Sequence, residues 1–334
     1  MVEIIQKFKG GSLSSTNLVK NDKGNLFVRK TVSLISSREY GFQRWYSQMK
    51  RLQRNSVLFP GIFPTLLEYG VDGDRAYFDI EYFPRAINAQ EYIFNCKSQE
   101  DVEVFFRKLM DVLSALHSHE MPSSSKAIEL YLNEEIDQRL NSCKINKKFT
   151  DFLKYKKIVF NGAKVESFSS QIKDYKKMCH DFFSGSKESF THGNLTLENI
   201  LYNPKEGRVV LIDPYEENII DSDLAELSQL LQSSNSKYEM YNQKDVKISS
   251  DTIFCTIDES FGMNCFNERL LEYIKLNYSR REYFFIKLME ISQFIRMLPF
   301  KMEVSPDKMF LFYGLASKLF SDLKIEYKES EFYV

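Results

Sequence analysis

At 334 residues the chain has room for two lobes or domains and a sizeable core. Its 43% hydrophobic and 27% charged residues are an ordinary globular balance. A net charge of −1 excludes a global field that would draw the protein onto nucleic acid or an acidic membrane, so any anionic ligand must be held by a local site.

The first ~85 residues read as strands. Val2 to Phe8 is a short alternating run ending at Gly10-Gly11, with Thr16 to Lys20 as its hairpin partner. Asn21-Asp22-Lys23-Gly24-Asn25 is a turn signal, after which Leu26 to Thr31 resumes as a strand. Ser37 to Gln53 switches to helical spacing, with Tyr40, Trp45, Met49 and Leu52 apolar. Thr65 to Gly70 and Ala76 to Tyr82 are two further strands around the turn Val71-Asp72-Gly73-Asp74, and Pro84 closes the block. A lobe boundary is expected near Phe83 to Ala89, separating residues 1–84 from 85–334.

Helical spacing then dominates. Val102 to His119 carries Val104, Phe105, Leu109, Val112, Leu113 and Leu116 on an amphipathic pattern. Met121 to Phe190 is lysine-rich and helical in tendency, with a turn at Asn161-Gly162. Asn199 to Tyr202 and Arg208 to Ile212 are short strands joined by Asn203-Pro204-Lys205-Glu206-Gly207, and from Ser222 to the end helices are expected to dominate again. Tyr283 to Phe300 is the richest apolar stretch, but Lys287, Glu290 and Arg296 interrupt it, so it reads as a buried helix and not a membrane span. The first residues carry Glu3 and lack the apolar core of a signal peptide. Five scattered cysteines (Cys96, Cys143, Cys179, Cys255, Cys265) form no CxxC pair, which favours free thiols over a disulfide frame or a zinc site. A cytoplasmic protein with neither a nucleic-acid nor a membrane partner is the expectation.

The most informative segment is Thr191-His192-Gly193-Asn194-Leu195-Thr196-Leu197-Glu198-Asn199-Ile200-Leu201, followed by Val210-Leu211-Ile212-Asp213-Pro214-Tyr215. An amide oxygen (Asn199) and a carboxylate (Asp213), fourteen positions apart across a hairpin, can converge on one Mg²⁺, for which hard oxygen ligands are suited. The bland alternative is an ordinary loop and hairpin rich in Asn and Asp.

This segment resembles the catalytic loop and metal-binding strand of the aminoglycoside phosphotransferases, choline kinases and their bacterial relatives, whose pattern is His-Gly-Asp-Leu-x-x-x-Asn-Ile-Leu and then Leu-Ile-Asp. The spacing of five from Asn194 to Asn199 matches. Leu113-Ser114-Ala115-Leu116-His117 is similar to the family's Leu-x-x-Leu-His helix end, and Asp223-Leu224-Ala225 to its Asp-Leu-Ala helix start. The resemblance implies an α+β, two-lobed protein-kinase-like fold, with a small antiparallel β-sheet N-lobe and a larger, mainly helical C-lobe that carries a helical insertion at about 121–190. It implies ATP and Mg²⁺ as cofactors and a small-molecule hydroxyl acceptor as partner. Asn199 and Asp213 would hold the metal. Asp223 would cap a helix and brace the catalytic loop, with Asp221 its competitor, and His192 and His117 would be structural. In the N-lobe, Lys30 would contact phosphates, with Arg29 on the opposite side of the strand. Glu39 would pair with Lys30, and Ser12 and Ser14 would cover phosphates. Glu81-Tyr82-Phe83 would be the hinge, with Glu81 and Phe83 meeting adenine through backbone groups. In the insertion, Tyr131, Glu134, Glu135 and Asp137 are candidates to face a polar substrate, a solvated helix being the bland reading.

One departure matters. The family has aspartate where this chain has Asn194, the residue that accepts the hydrogen bond and the proton of the acceptor hydroxyl. General-base contributions are about 10²- to 10⁴-fold, roughly 3 to 5 kcal/mol. Three readings stay open: an engineered inactive variant, a natural pseudokinase that binds nucleotide and regulates or scaffolds, or an active enzyme whose loose transition state needs no strong base. A protein kinase is disfavoured, because no Ala-Pro-Glu element or activation segment follows Ile212-Asp213-Pro214.

Overall fold

The computed structural model describes residues 2–8, 15–35, 38–118, 120–121, 126–183, 188–215 and 218–331. Strands β1 (Val2–Phe8), β2 (Ser15–Asn21) and β3 (Leu26–Ser33) lead into helix α1 (Arg38–Leu58), and β4 (Leu66–Asp72) and β5 (Arg75–Glu81) follow. They form one five-stranded sheet in the order β1-β2-β3-β5-β4, every pair antiparallel. The β2–β3 turn is closed by the Asn21 side chain, whose Oδ1 accepts from the N–H groups of Lys23 and Asn25, with Gly24 at φ 85°. Helix α1 runs past Gln53 to Leu58, because nothing in that stretch stops a helix before Pro60. The register sets Lys30 opposite Phe78 and Arg29 opposite Asp79, so these two neighbours leave the sheet on opposite faces. Trp45 of α1 packs on Phe78 at 5.6 Å, and Met49 and Leu52 are buried with it. On the other face Arg29 grips the buried Asp79 with two 2.7 Å hydrogen bonds and lies 4.0 Å over the Tyr77 ring.

Next come β6 (Ile87–Asn88), α2 (Ala89–Asn95), α3 (Gln99–His117), β7 (Glu120–Met121), α4 (Ala127–Tyr131), a π-helical turn (Leu132–Gln138), α5 (Arg139–Cys143) and α6 (Lys147–Phe152). The chain continues through β8 (Lys157–Phe160), β9 (Ala163–Glu166), α7 (Phe168–Phe182), β10 (Glu188–Ser189), a 3₁₀ turn (Leu197–Asn199), β11 (Ile200–Asn203) and β12 (Arg208–Leu211). It ends with α8 (Asp223–Ser234), α9 (Tyr238–Gln243), β13 (Lys247–Ser249), β14 (Thr252–Phe254), α10 (Phe261–Asn277), α11 (Arg280–Arg296), α12 (Leu298–Val304) and α13 (Pro306–Glu331).

Two compact units result. One comprises Met1–Tyr92, Arg107–Leu116 and His192–Asn218, and so contains the five-stranded sheet together with the three-stranded sheet β12-β11-β6. The other comprises Ile93–Phe106, His117–Thr191 and Ile219–Val334. In the second unit α11 is buried nearly all round, including Leu288, Phe294 and Ile295, and its start is fixed by a capping box between Ser279 and Glu282. The expected buried helix near Tyr283 is therefore present.

The same unit is mainly helical over 121–190 and beyond Ser222, as expected, but it also contains short strands that the sequence did not signal. Strands β13-β14-β8-β9 make a four-stranded sheet in which β14 and β8 run parallel. Asn161 (φ 47°) and Gly162 (φ 85°) form the two-residue turn between β8 and β9, both in the left-handed region that matches strand twist. The inner face of this sheet lies against α13, where the absent side chain of Gly314 makes room: a Cβ there would sit 2.7 Å from the Phe160 ring. Cys96, Cys143, Cys179, Cys255 and Cys265 are free thiols, as expected. Among the described residues no helix is long and apolar enough to cross a membrane.

Candidate active site

The segment His192–Asn199 folds into a loop whose backbone is tied on both sides. His192 is fully buried; its Nε2 donates to the Ile212 carbonyl at 2.6 Å while Nδ1 accepts from Asn194 N–H at 3.3 Å, so the ring is neutral with its proton on Nε2. The ring stacks on Phe63 at 6.1 Å. The His192 carbonyl accepts from Tyr215 N–H at 2.9 Å, and the Gly193 carbonyl from Asn218 Nδ2 at 2.8 Å. Gly193 sits at φ 82°, and a Cβ there would lie 2.1 Å from the Tyr215 carbonyl oxygen, so only glycine fits.

This frame orients the two oxygen-bearing residues. The Asn199 Nδ2 group donates to the Asn194 carbonyl at 2.8 Å and to Thr196 Oγ1 at 3.2 Å. A carbonyl can only accept, so the amide orientation is determined, and Oδ1 is the acceptor atom on the opposite side of the group. Ile212 N–H donates to the Asn199 carbonyl at 2.9 Å, which holds Asp213 beside Asn199. Asp213 has φ 60°, a left-handed conformation unusual outside glycine, and the hydrogen bonds on both sides of Ile212 hold it there. Its carboxylate receives the Lys30 ammonium, which is buried on β3, while Asp213 itself is a third exposed.

Lys30, Asn194, Asn199 and Asp213 thus lie in one compact unit, with Lys30 on Asp213 and the Asn194 backbone on Asn199. Arg29 is turned away from Lys30, as expected. Ser12 and Ser14 lie outside the described residues; Glu39 falls in the first turn of α1, and its side chain lies outside them as well. Glu81 donates its N–H to the Thr65 carbonyl at 3.0 Å, and its carboxylate accepts from Thr65 Oγ1 at 3.1 Å. The Phe83 carbonyl accepts from Ala86 N–H at 3.2 Å, and its ring lies under the Arg208 guanidinium at 4.8 Å.

Asp223 requires a correction. The N-cap of α8 is Ser222, which has the extended backbone a cap needs and accepts from Ala225 N–H at 3.3 Å. Asp223 is the first helical residue and accepts from the Tyr278 hydroxyl at 3.0 Å. Asp221, the competitor, accepts the hydroxyl of Thr191, the residue before His192. His117 meets the buried Glu226 at 3.1 Å. Tyr131 and Glu135 also depart from the expectation that they face a substrate. The Tyr131 hydroxyl is buried against Ser292, with burial pushing it up to about 12, and Glu135 is buried between Arg139 and Arg296 at 3.2 and 3.0 Å. Asp137 pairs with Lys176 at 2.5 Å.

Among solved structures the chain is similar to a proposed fructosamine-3-kinase from Haemophilus somnus 129PT, at 12% identity and TM-score 0.58 over 96% of this chain and 92% of that one. The chain has a protein-kinase-like α+β fold. An aminoglycoside-3'-phosphotransferase of type VIII is matched at 14% identity and TM-score 0.46 over 87% of this chain and 92% of that one. No protein-family model and no curated protein matches the sequence. Within this kinase-like frame, sequence reasoning missed Phe63, Thr196, Tyr215 and Asn218, which position the loop. None carries a spacing signal, because each acts through a contact that only the folded chain creates.

Proposed function

We propose that the protein is an ATP- and Mg²⁺-dependent phosphotransferase acting on a hydroxyl of a small molecule, with Asn194 in the position of the catalytic base. The observation that carries this reading is the meeting of Lys30 and Asp213, 183 residues apart in sequence, beside an Asn199 whose amide oxygen is oriented by its own loop. Phosphoryl transfer asks a protein mainly for positioning and charge compensation, and these groups supply both.

The donor set fits Mg²⁺. One carboxylate and one amide oxygen are hard ligands, and among the described residues no group of three or more His, Cys, Asp or Glu is gathered. A cation that keeps waters and phosphate oxygens in its shell matches so sparse a set. Asn199 and Asp213 would hold it, and it would offset the negative charge of the phosphates. Lys30 adds a buried ammonium whose present partner is Asp213, and phosphate oxygens would share it. His192 holds the loop through backbone contacts and moves no proton.

Asn194 supports a second reading, a pseudokinase that binds nucleotide without efficient transfer, since an amide accepts a hydrogen bond but is a poor base. Phosphate transfer from labelled ATP to a panel of hydroxylated small molecules separates the two. Transfer by the parent, or its appearance in Asn194→Asp, supports the enzyme; Mg²⁺-dependent ATP binding with no transfer by either chain supports the pseudokinase. Absence of ATP binding would overturn both.

A further inference from the structure

The four-stranded sheet of the second unit is two hairpins, β8–β9 and β13–β14, joined along one seam where β8 and β14 run parallel. Backbone bonds cross the seam from Val159 N–H to the Asp251 carbonyl at 2.9 Å and from Asn161 N–H to the Ile253 carbonyl at 3.0 Å. There the backbone of β8 turns away through the left-handed Asn161 and Gly162, and the Asn161 side chain takes over the ladder. Its Oδ1 accepts from Cys255 N–H at 2.8 Å, and its Nδ2 donates to the Cys255 carbonyl at 2.9 Å and to the Tyr241 hydroxyl at 3.3 Å. A backbone N–H only donates and a carbonyl only accepts, so the amide orientation is determined. Asn161 is thus a clasp between segments 94 residues apart.

The clasp is chemically perishable. Asn161-Gly162 is the one Asn-Gly pair in the chain, and both residues are exposed. Glycine has no side chain to shield its backbone nitrogen. That nitrogen, on giving up its proton to water, can attack Asn161 Cγ. The Cγ–Nδ2 bond then breaks, ammonia leaves with a proton from water, and a second water opens the cyclic imide to aspartate or isoaspartate. The attack makes the planar amide carbon tetrahedral and expels its nitrogen, so the amide must first give up its paired bonds to Cys255.

We propose that Asn161 is a spontaneous deamidation site kept intact by the seam it closes: reaction is confined to excursions in which Cys255 releases the amide, and the product cannot close the seam again. A carboxylate has acceptor oxygens and no donor, so the Cys255 carbonyl would face an oxygen where Nδ2 now donates. Isoaspartate also lengthens the backbone of a two-residue turn whose conformation is narrowly set. The site lies within the second unit, and the inference stands apart from the proposed phosphotransfer.

Peptide mapping by mass spectrometry tests this on the full chain, incubated at mildly alkaline pH either folded or in guanidinium chloride. The unfolded chain is expected to convert Asn161, and the folded chain to convert it at least about tenfold more slowly, because reaction there waits for local opening. The nearly isosteric Asn161→Asp should melt about 2 to 4 °C below the parent, as the Cys255 carbonyl loses its donor. A folded chain that converts as fast as the unfolded one, an unfolded chain that does not convert, or an Asn161→Asp variant that melts with the parent would each overturn the proposal. The comparison of rates uses the parent alone, so it decides the matter even where the variant fails to fold.

Discussion

Asn194 shares its loop with groups whose hydrogen bonds are already committed: its carbonyl serves Asn199 and Thr196, and its N–H serves His192. A change confined to its side-chain amide leaves that frame untouched. On the proposed function, Asn194→Asp is expected to raise transfer to the correct acceptor by about two to four orders of magnitude, with a much smaller change in ATP affinity. Steady-state kinetics with the acceptor in hand check this; a variant that binds both substrates yet is no faster removes Asn194 from the base position. Asp213 makes the complementary case. Mg²⁺ with ATP is expected to raise the melting temperature of the parent by mass action, and Asp213→Ala to abolish most of that rise. The same variant without ligand should melt lower, because the buried Lys30 ammonium loses its counter-charge. A ligand-induced rise that survives in Asp213→Ala would show that the metal is held elsewhere.

At the scale of elements, α8 starts one residue earlier than the Asp-Leu-Ala pattern suggests. Ser222→Ala should cost about 1 kcal/mol of stability by removing the cap, readable in a urea midpoint; a loss under a few tenths would mean that Asp223 or solvent substitutes. The π-helical turn after α4 carries Glu135 into the interior of its unit. Burial alone would raise its pKa, but Arg296 and then Arg139 outweigh burial and hold Glu135 below its ordinary value of 4.5. A depressed carboxylate contributes stability that is present above the unfolded value and lost as pH falls through the folded one. The chain should therefore lose stability on acidification below about pH 4.5, and Glu135→Gln should flatten part of that limb while lowering stability near neutrality. Urea midpoints against pH decide it, and parallel curves for parent and variant would refute the linkage. The arginines also mean that charge reversal at Glu135 perturbs folding before it can report on any substrate.

For the whole molecule, the segment 121–190 is proposed to govern acceptor choice and not nucleotide binding. Glu134, half-buried and neighbour to the occupied Glu135, is the usable probe. Glu134→Lys is expected to change acceptor affinity severalfold and leave ATP affinity nearly unaltered, as isothermal titration with each ligand would show. A collapse of ATP binding instead would reject the division of labour between the segment and the catalytic loop.

What could be read from the sequence was local. Strand alternation, the Asn-Gly and Gly-rich turns and the spacing within 192–213 depend on residues a few positions apart, so β1 to β5, the β11–β12 hairpin and the candidate metal pair were visible without a structure. Period-two geometry put Lys30 and Arg29 on opposite faces, and the choice of Lys30 for the phosphates came from the family resemblance. The tertiary structure decided what depends on distant segments meeting. The Asp-Leu-Ala pattern favours Asp223 over Asp221 on paper, and only the contacts of Asp221 with Thr191 and of Asp223 with Tyr278 show what each one does. Strands of three or four residues such as β8 and β14 are too short for a periodic signal and exist because they pair with each other across about ninety positions. Glu135 reads as a surface carboxylate until Arg296, 161 residues later, is brought against it. In each case the side chain's role is set by its partner, and which partner arrives is a property of the folded chain.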